Sequence, residues 1–449
     1  MALQALCHGL ELAGRLARKL LVLRCTLPRA GEPMMYQAYQ AHADMMWPLQ
    51  ALARTALPML QDPSFGWSAF AGNRKLAAAC ELMGLAQVTH HRPAFGIESV
   101  LVAGEPVAVT EEAALVTPFA TLLHFRKDRG NPTAAPQPRV LIVAPMSGHF
   151  ATLLRDTVRT MLADHDVYIT DWHNGREMPL SAGPFGLDEY TQHLIDFLAA
   201  IGEGAHLMAI CQPCVAALSA VAVMSQDRHP ATPLSLTLMA GPIDCRISPT
   251  EVNKLAMTKD IAWFEKHLIG VVPWRYPGAG RRVYPGFVQL TAFMSMNKDR
   301  HINAFKTYYE NLAHPQPDED RLKQAAATRN FYEEYFAVAD LPAEFYLETV
   351  RLVFQEYALP LGRLTFRGRP VEPAAIRRTA LLTVEGERDD ICAPGQTLAA
   401  QDLCSGLRPY LRTHYVQAGV GHYGVFSGRR WQNHIYPIVR DVIHVSRQV

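Results

Sequence analysis

The sequence predicts an α/β protein: a mostly parallel sheet, preceded by an N-terminal helical extension and interrupted by a large helical insertion. Three observations carry this. From Arg139 to Met239, short apolar runs alternate with amphipathic helical patterns. That rhythm stops over 246–375, which reads as helical, and resumes at Ala380. Ahead of residue 96 the chain reads as helical too. Apolar runs without polar alternation mean strands buried on both faces, as in parallel sheets covered by helices.

Taken in order, 35–90 is a helical stretch with Pro48 and Pro58 as expected breaks. Val100, Val102, Val107 and Val109 alternate about Gly104-Glu105, a hairpin pattern, and Leu122–Phe125 supplies a further strand. Gly130-Asn131-Pro132 through Pro138 is a turn-rich linker. Val140–Ala144, Val167–Thr170, His206–Ile210 and Leu234–Met239 are strands, with helices expected over 150–163, 187–201 and from 213. Ala380–Val384 and Arg412–Val416 are the last two strands, and a helix over 429–445 closes the chain. The domains read from these signals are an N-terminal helical extension (1–95), a first core part (96–245), an aromatic-rich helical lid (246–375) and a second core part (376–449).

Composition narrows the function. Apolar residues make up 49% and charged residues 19% of 449, enough for a large packed core. The net charge of +1, from 43 basic against 42 acidic residues, argues against a nucleic-acid binder. Eight scattered cysteines read as reduced thiols, and none has zinc-finger spacing, so neither metal nor cofactor is expected. No apolar run reaches the roughly 18 residues of a membrane-spanning helix. Residues 1–33 are Ala/Leu-rich but interrupted by Arg15, Arg18, Lys19 and Arg24, unlike a signal peptide. They read as a transit peptide, as an amphipathic surface helix or, the favoured reading, as a misplaced start with Met34 or Met35 the true one. Between Trp263 and Phe366 lie two Trp, eight Tyr and nine Phe, 19 of the chain's 40 aromatics. They read either as the core of a helical domain or as a surface gripping an apolar substrate.

The chemistry centres on Leu207-Met208-Ala209-Ile210-Cys211-Gln212-Pro213-Cys214. An apolar strand runs straight into a cysteine and a helix begins at once, the context of a nucleophile elbow. That turn is crowded. Ala209 is small, and Pro213 suits a first helical turn. A helix N-terminus beside Cys211 favours thiolate. A Cys211/Cys214 redox pair and a buried structural cysteine fit the same segment. Downstream residues break the tie. Asp389 follows Val384-Glu385-Gly386-Glu387-Arg388 after one strand, and His422 sits in Gly419-Val420-Gly421-His422-Tyr423-Gly424 after the last. Nucleophile, acid and base in that order, each after a strand, are the arrangement of an α/β-hydrolase. Asp390 is the fallback acid and Asp244 a weaker one. Oxyanion donors are expected from the backbone N–H of Gln212 and of Met146, with Ser147 next. His149, beside them, is a candidate substrate contact.

With these residues in hand, the chain resembles the intracellular polyhydroxyalkanoate (polyhydroxybutyrate) depolymerases, from about Met35 to the C-terminus. The stretches that carry the likeness are Ala144–His149 with Ala151–Thr160, Cys211-Gln212-Pro213, Gly241–Asp244, Gly280–Phe287 and Gly421–Arg430. The resemblance implies a Cys211/Asp389/His422 triad, an acyl-thioester intermediate and release of 3-hydroxyacid oligomers or monomers. It also implies a cytoplasmic protein on polymer granules, with a homodimer left open. Trp274, Tyr276, Tyr284 and Phe287 are then candidate substrate-binding residues. Arg281 and Arg282 read as product-carboxylate ligands or as solvated charges. Three rivals stand beside this: a polyhydroxyalkanoate synthase-like acyltransferase, a non-catalytic granule-binding protein and a thiol oxidoreductase.

Overall fold

A computed structural model describes residues 34–62, 64, 72–128, 136–296 and 298–446. The expectation for residues 1–33 therefore lies outside the described residues. The chain divides into two compact units, one of Met1–Pro93 with Leu268–Asp340 and one of Ala94–His267 with Leu341–Val449.

The second unit holds a nine-stranded sheet. Its strands are β1 (Ser99–Val102), β2 (Glu105–Val116), β3 (Ala120–Asp128), β4 (Arg139–Val143), β5 (Asp166–Trp172), β6 (His206–Ile210), β7 (Ser235–Met239), β8 (Ala380–Gly386) and β9 (Arg412–Gln417), in the spatial order β1-β2-β3-β5-β4-β6-β7-β8-β9. β1, β2, β3 and β5 pair antiparallel, and every pair from β5 to β9 is parallel. Every residue of β6, β7 and β8 is buried, in keeping with their mainly apolar sequences. The helix Cys214–Gln226 is buried along Cys214–Met224, so it sits inside the unit rather than on its surface. Beneath the sheet, Val140, Ile142, Met208, Ile210, Leu382 and Val384 join Trp431, Ile435 and Val439 of the C-terminal helical segment in one core. The sheet order is that of an α/β-hydrolase with a hairpin strand added at the β1 edge.

The first unit is built from the helices Met34–Gln61 and Asn73–Leu85 together with Gly286–Met296, Lys298–Ala313 and Glu319–Tyr335. Leu82, Leu290, Phe305, Tyr308, Tyr332, Tyr335 and Phe336 share its core. The sequence partition thus differs from the compact units. Only 268–340 of the expected lid 246–375 groups with the N-terminal helices, while 246–267 and 341–375 group with the sheet. The reason is packing: Phe305, Tyr308 and Tyr332 need apolar partners, and Leu82 is among those they find. Pro48 and Pro58 do not break the first helix, which runs through both. Both prolines are exposed, and so are Asp44 and Arg54, whose carbonyls lose their partners, so water can satisfy those groups. Short strands at Gly270–Val271, Arg282–Tyr284, Thr365–Phe366 and Arg369–Pro370 were not expected from sequence.

Candidate active site

The register of the parallel strands brings the three chemical loops to one edge. Val143 pairs with Ala209, Ile210 with Met239, Val384 with Met239, and Gly386 with Gln417. Cys211 follows directly on one of these carboxyl ends, and Asp389 and His422 lie in the loops that leave two others. Met146 and Ser147 leave β4 alongside the turn at Cys211, because Val143 stands level with Ala209.

Cys211 has φ +67°, the left-handed region that costs a non-glycine residue roughly 1–3 kcal/mol. Its N–H donates to the Met239 carbonyl at 2.8 Å, and its own carbonyl accepts from Cys214 N–H at 3.1 Å. The strand therefore keeps its ladder up to the sulfur and turns sharply into the helix. Small residues are needed around such a turn, and one was missed from sequence. A Cβ on Gly241 would lie 2.2 Å from both Cβ and Sγ of Cys214 and 3.0 Å from the Cys211 carbonyl. The glycine that the elbow requires thus sits on the neighbouring strand end rather than at position 213. The signal was Gly241-Pro242 directly after an apolar run. Gly241→Ala should destabilise the unit by about 3 kcal/mol or more. A denaturant titration that leaves the midpoint unmoved would contradict this.

His422 is 6% exposed and Asp389 5%. His422 Nδ1 lies 2.8 Å from Asp389 Oδ2. The other carboxylate oxygen accepts the N–H groups of Ile391 at 2.9 Å and Cys392 at 2.8 Å. Asp389 is thereby fixed in one orientation, with one oxygen left for the imidazole. Tyr423 and Phe426 meet the His422 ring edge to face. Burial opposes the imidazolium, but the charge and hydrogen bond of the Cys211 sulfur, together with Asp389, raise the His422 pKa to about 10.

The alternatives fall elsewhere. Asp390 is exposed. Asp244 is engaged by Arg246 at 2.9 and 2.7 Å, which holds its carboxyl below the usual range. Cys214 is fully buried, its thiol donates to the Ala209 carbonyl at 3.4 Å, and burial pushes its pKa far up. A thiol so placed is a poor redox partner. Met146 and His149 are buried, while Gln212 and Ser147 are half-buried. The Ala144 carbonyl ahead of Met146 accepts Trp172 Nε1–H at 3.0 Å and Tyr190 O–H at 3.3 Å, and its N–H donates to Thr170 Oγ1 at 3.0 Å. The start of the candidate oxyanion loop is therefore held from three sides.

The remaining candidates lie in the first unit. Tyr284 is buried, Phe287 stacks on Tyr39 at 3.8 Å, and Tyr276 O–H donates to Gln40 at 2.7 Å. Trp274 is 90% exposed. Arg281 is 3% exposed, so its reading as a solvated charge does not hold. Among the described residues, no three His, Cys, Asp or Glu side chains gather to hold a metal ion. No helix among them is long and apolar enough to cross a membrane.

Sheet order and the loops after β6, β8 and β9 define an α/β-hydrolase. Residues 240–447 match the family described as "PHB de-polymerase C-terminus", a likeness to carboxylic ester hydrolases over a little under half of the chain. No curated protein matches the chain. Solved structures similar to it include a bacterial membrane phospholipase A (14% identity, 74% of this chain and 86% of that one, TM-score 0.41). A 2-hydroxy-6-oxo-6-phenylhexa-2,4-dienoate hydrolase from Rhodococcus sp. strain RHA1 matches at 12% identity over 75% and 99%, with TM-score 0.39. A thermophilic esterase from Thermogutta terrifontis matches at 14% over 74% and 98%, with TM-score 0.36. Values this low leave the fold assignment resting on the sheet topology itself.

Proposed function

We propose that the chain hydrolyses ester bonds of intracellular poly(3-hydroxyalkanoate), poly(3-hydroxybutyrate) above all, on cytoplasmic granules, through Cys211, His422 and Asp389. The observation that carries the reading is the 2.8 Å hydrogen bond between buried His422 and Asp389, on loops that leave the same sheet edge as Cys211. His422 takes the thiol proton, and the sulfur attacks the ester carbonyl carbon. The N–H groups of Gln212 and Met146 receive the developing oxyanion. As the carbonyl re-forms, the C–O bond breaks, and the alkoxide leaves with the proton from His422. Water then gives a proton to His422 and attacks the thioester, which releases a 3-hydroxyacid and restores the sulfur. A neutral polyester needs no counter-charge, in keeping with a net charge of +1.

The test is purified protein on native amorphous granules, with released 3-hydroxyacid measured. Soluble 3-hydroxyacid is expected. Granule binding without release supports the coat-protein rival, and polymer formation from 3-hydroxyacyl-CoA supports the synthase rival.

The pH profile follows from His422. Its folded pKa of about 10 lies above the ordinary 6.5, so the protonated form is favoured in the fold. Stability from this group is complete below about 6.5 and is lost as pH rises through about 10. The leaving alkoxide needs that same proton. The kcat/KM for a soluble short ester should hold through pH 8 and fall near 10. A descending limb near 6.5 would contradict the coupling of His422 to the sulfur.

A further inference from the structure

One buried carboxylate has no part in the triad. Glu385 is the penultimate residue of β8 and 1% exposed. Both its oxygens accept Gly395 N–H at 2.9 Å, and Oε1 also takes the N–H of Thr397 at 2.8 Å and of Leu398 at 2.9 Å. Burying a carboxylate costs several kcal/mol unless it is hydrogen-bonded, and these amides supply the compensation. The loop that Glu385 closes is the one carrying Asp389 at its head.

The tail of that loop reaches the elbow. Thr397, fully buried, accepts Gly241 N–H at 2.8 Å and donates to the Gly241 carbonyl at 3.0 Å. Gly241 is the residue whose missing Cβ leaves room for Cys214 and the Cys211 carbonyl. Thr397 Oγ1 also lies 3.8 Å from the sulfur of Cys392, whose N–H holds Asp389. One hydroxyl therefore touches the strand end beneath the nucleophile and the turn that fixes the acid. A one-ångström misplacement within such a constellation costs about a hundredfold in rate.

We infer that Glu385 and Thr397 are positioning residues, which lock the Asp389 loop to Gly241 and so set the distance between the Cys211 sulfur and His422. This rests on the triad reading above. Glu385 clamps the loop, and the Thr397 hydroxyl carries the constraint across to the elbow. Neither touches the substrate.

The experiment compares Thr397→Val with Thr397→Ser on p-nitrophenyl butyrate, with Cys211→Ala alongside. Valine keeps the volume but leaves Gly241 N–H unpaired, whereas serine keeps the hydroxyl. Thr397→Val should lose about ten- to a hundredfold in kcat with KM within about twofold. Its alkaline limb should move down from about 10, because the Cys211 sulfur and Asp389 are what face His422 and raise its pKa. Thr397→Ser should recover most of kcat and the limb. Wild-type kcat in Thr397→Val overturns the inference, as does a loss shared equally by both variants and matched by their melting temperatures. If Thr397→Val does not fold, Glu385→Gln and Thr397→Ala take its place, and unchanged kcat and pH limb in either overturns it. An active Cys211→Ala protein would instead remove the triad reading itself, whatever Thr397 does.

Discussion

Cys211→Ala is expected to lower kcat for ester hydrolysis by roughly 10⁴-fold or more. Removing the sulfur removes the bond that divides the reaction into acylation and deacylation, and leaves only the oxyanion donors and binding. The fold should survive, since alanine at φ +67° carries the same strain that cysteine already carries and loses no backbone hydrogen bond. The melting temperature should therefore stay within a few degrees. The same variant changes His422. Without the sulfur's charge and hydrogen bond, burial is opposed by Asp389 alone, so the imidazole pKa should fall from about 10. Cys211→Ser should resemble alanine more than wild type, because a hydroxyl is a far weaker acid than a thiol. Hydrolysis of granules and short esters at wild-type rates by Cys211→Ala would remove the covalent mechanism.

The strand end before Cys211 was legible because burial on both faces favours apolar residues along most of a strand. His206–Ile210 and Leu234–Met239 read as mostly apolar runs for that reason, and their ends marked where the candidate site loops emerge. Register then converts three distant loops into one site, and the order of nucleophile, acid and base carries that information in the sequence. What the pattern could not carry is which segments share a core. An aromatic stretch looks the same whether it grips a substrate or packs on helices. Phe305, Tyr308 and Tyr332 do the latter with Leu82. Helix breaks at Pro48 and Pro58 were expected from the backbone alone, yet exposure of the freed carbonyls tolerates both prolines.

Within the site, the missed residues act through space rather than through spacing. Ala209 supplies one small residue along the chain, while the crowding behind the turn is relieved at Gly241 at the end of another strand. Glu385 read as one more residue at a strand end. Its burial and its four short contacts to Gly395, Thr397 and Leu398 exist only once the loop has closed. Arg281, read as a carboxylate ligand or a solvated charge, is buried in the first unit.

Asp389→Asn separates orientation from charge, and a loss of roughly 10⁴ in kcat is expected. Oδ1 would still accept the N–H groups of Ile391 and Cys392, so the turn and the melting temperature should change little. What changes is the atom facing His422. An amide N–H₂ in place of Oδ2 donates to Nδ1, which forces the imidazole proton onto Nε2. The nitrogen that must take the thiol proton is then already protonated. The same substitution at Asp390 should leave kcat unchanged, since that side chain is exposed. At Asp244 it should cost only what the loss of the Arg246 contact costs, a stability effect. Comparable losses at Asp389 and Asp244 would show the acid to be wrongly assigned, because among the described residues it is Asp389 whose carboxylate stands 2.8 Å from the imidazole.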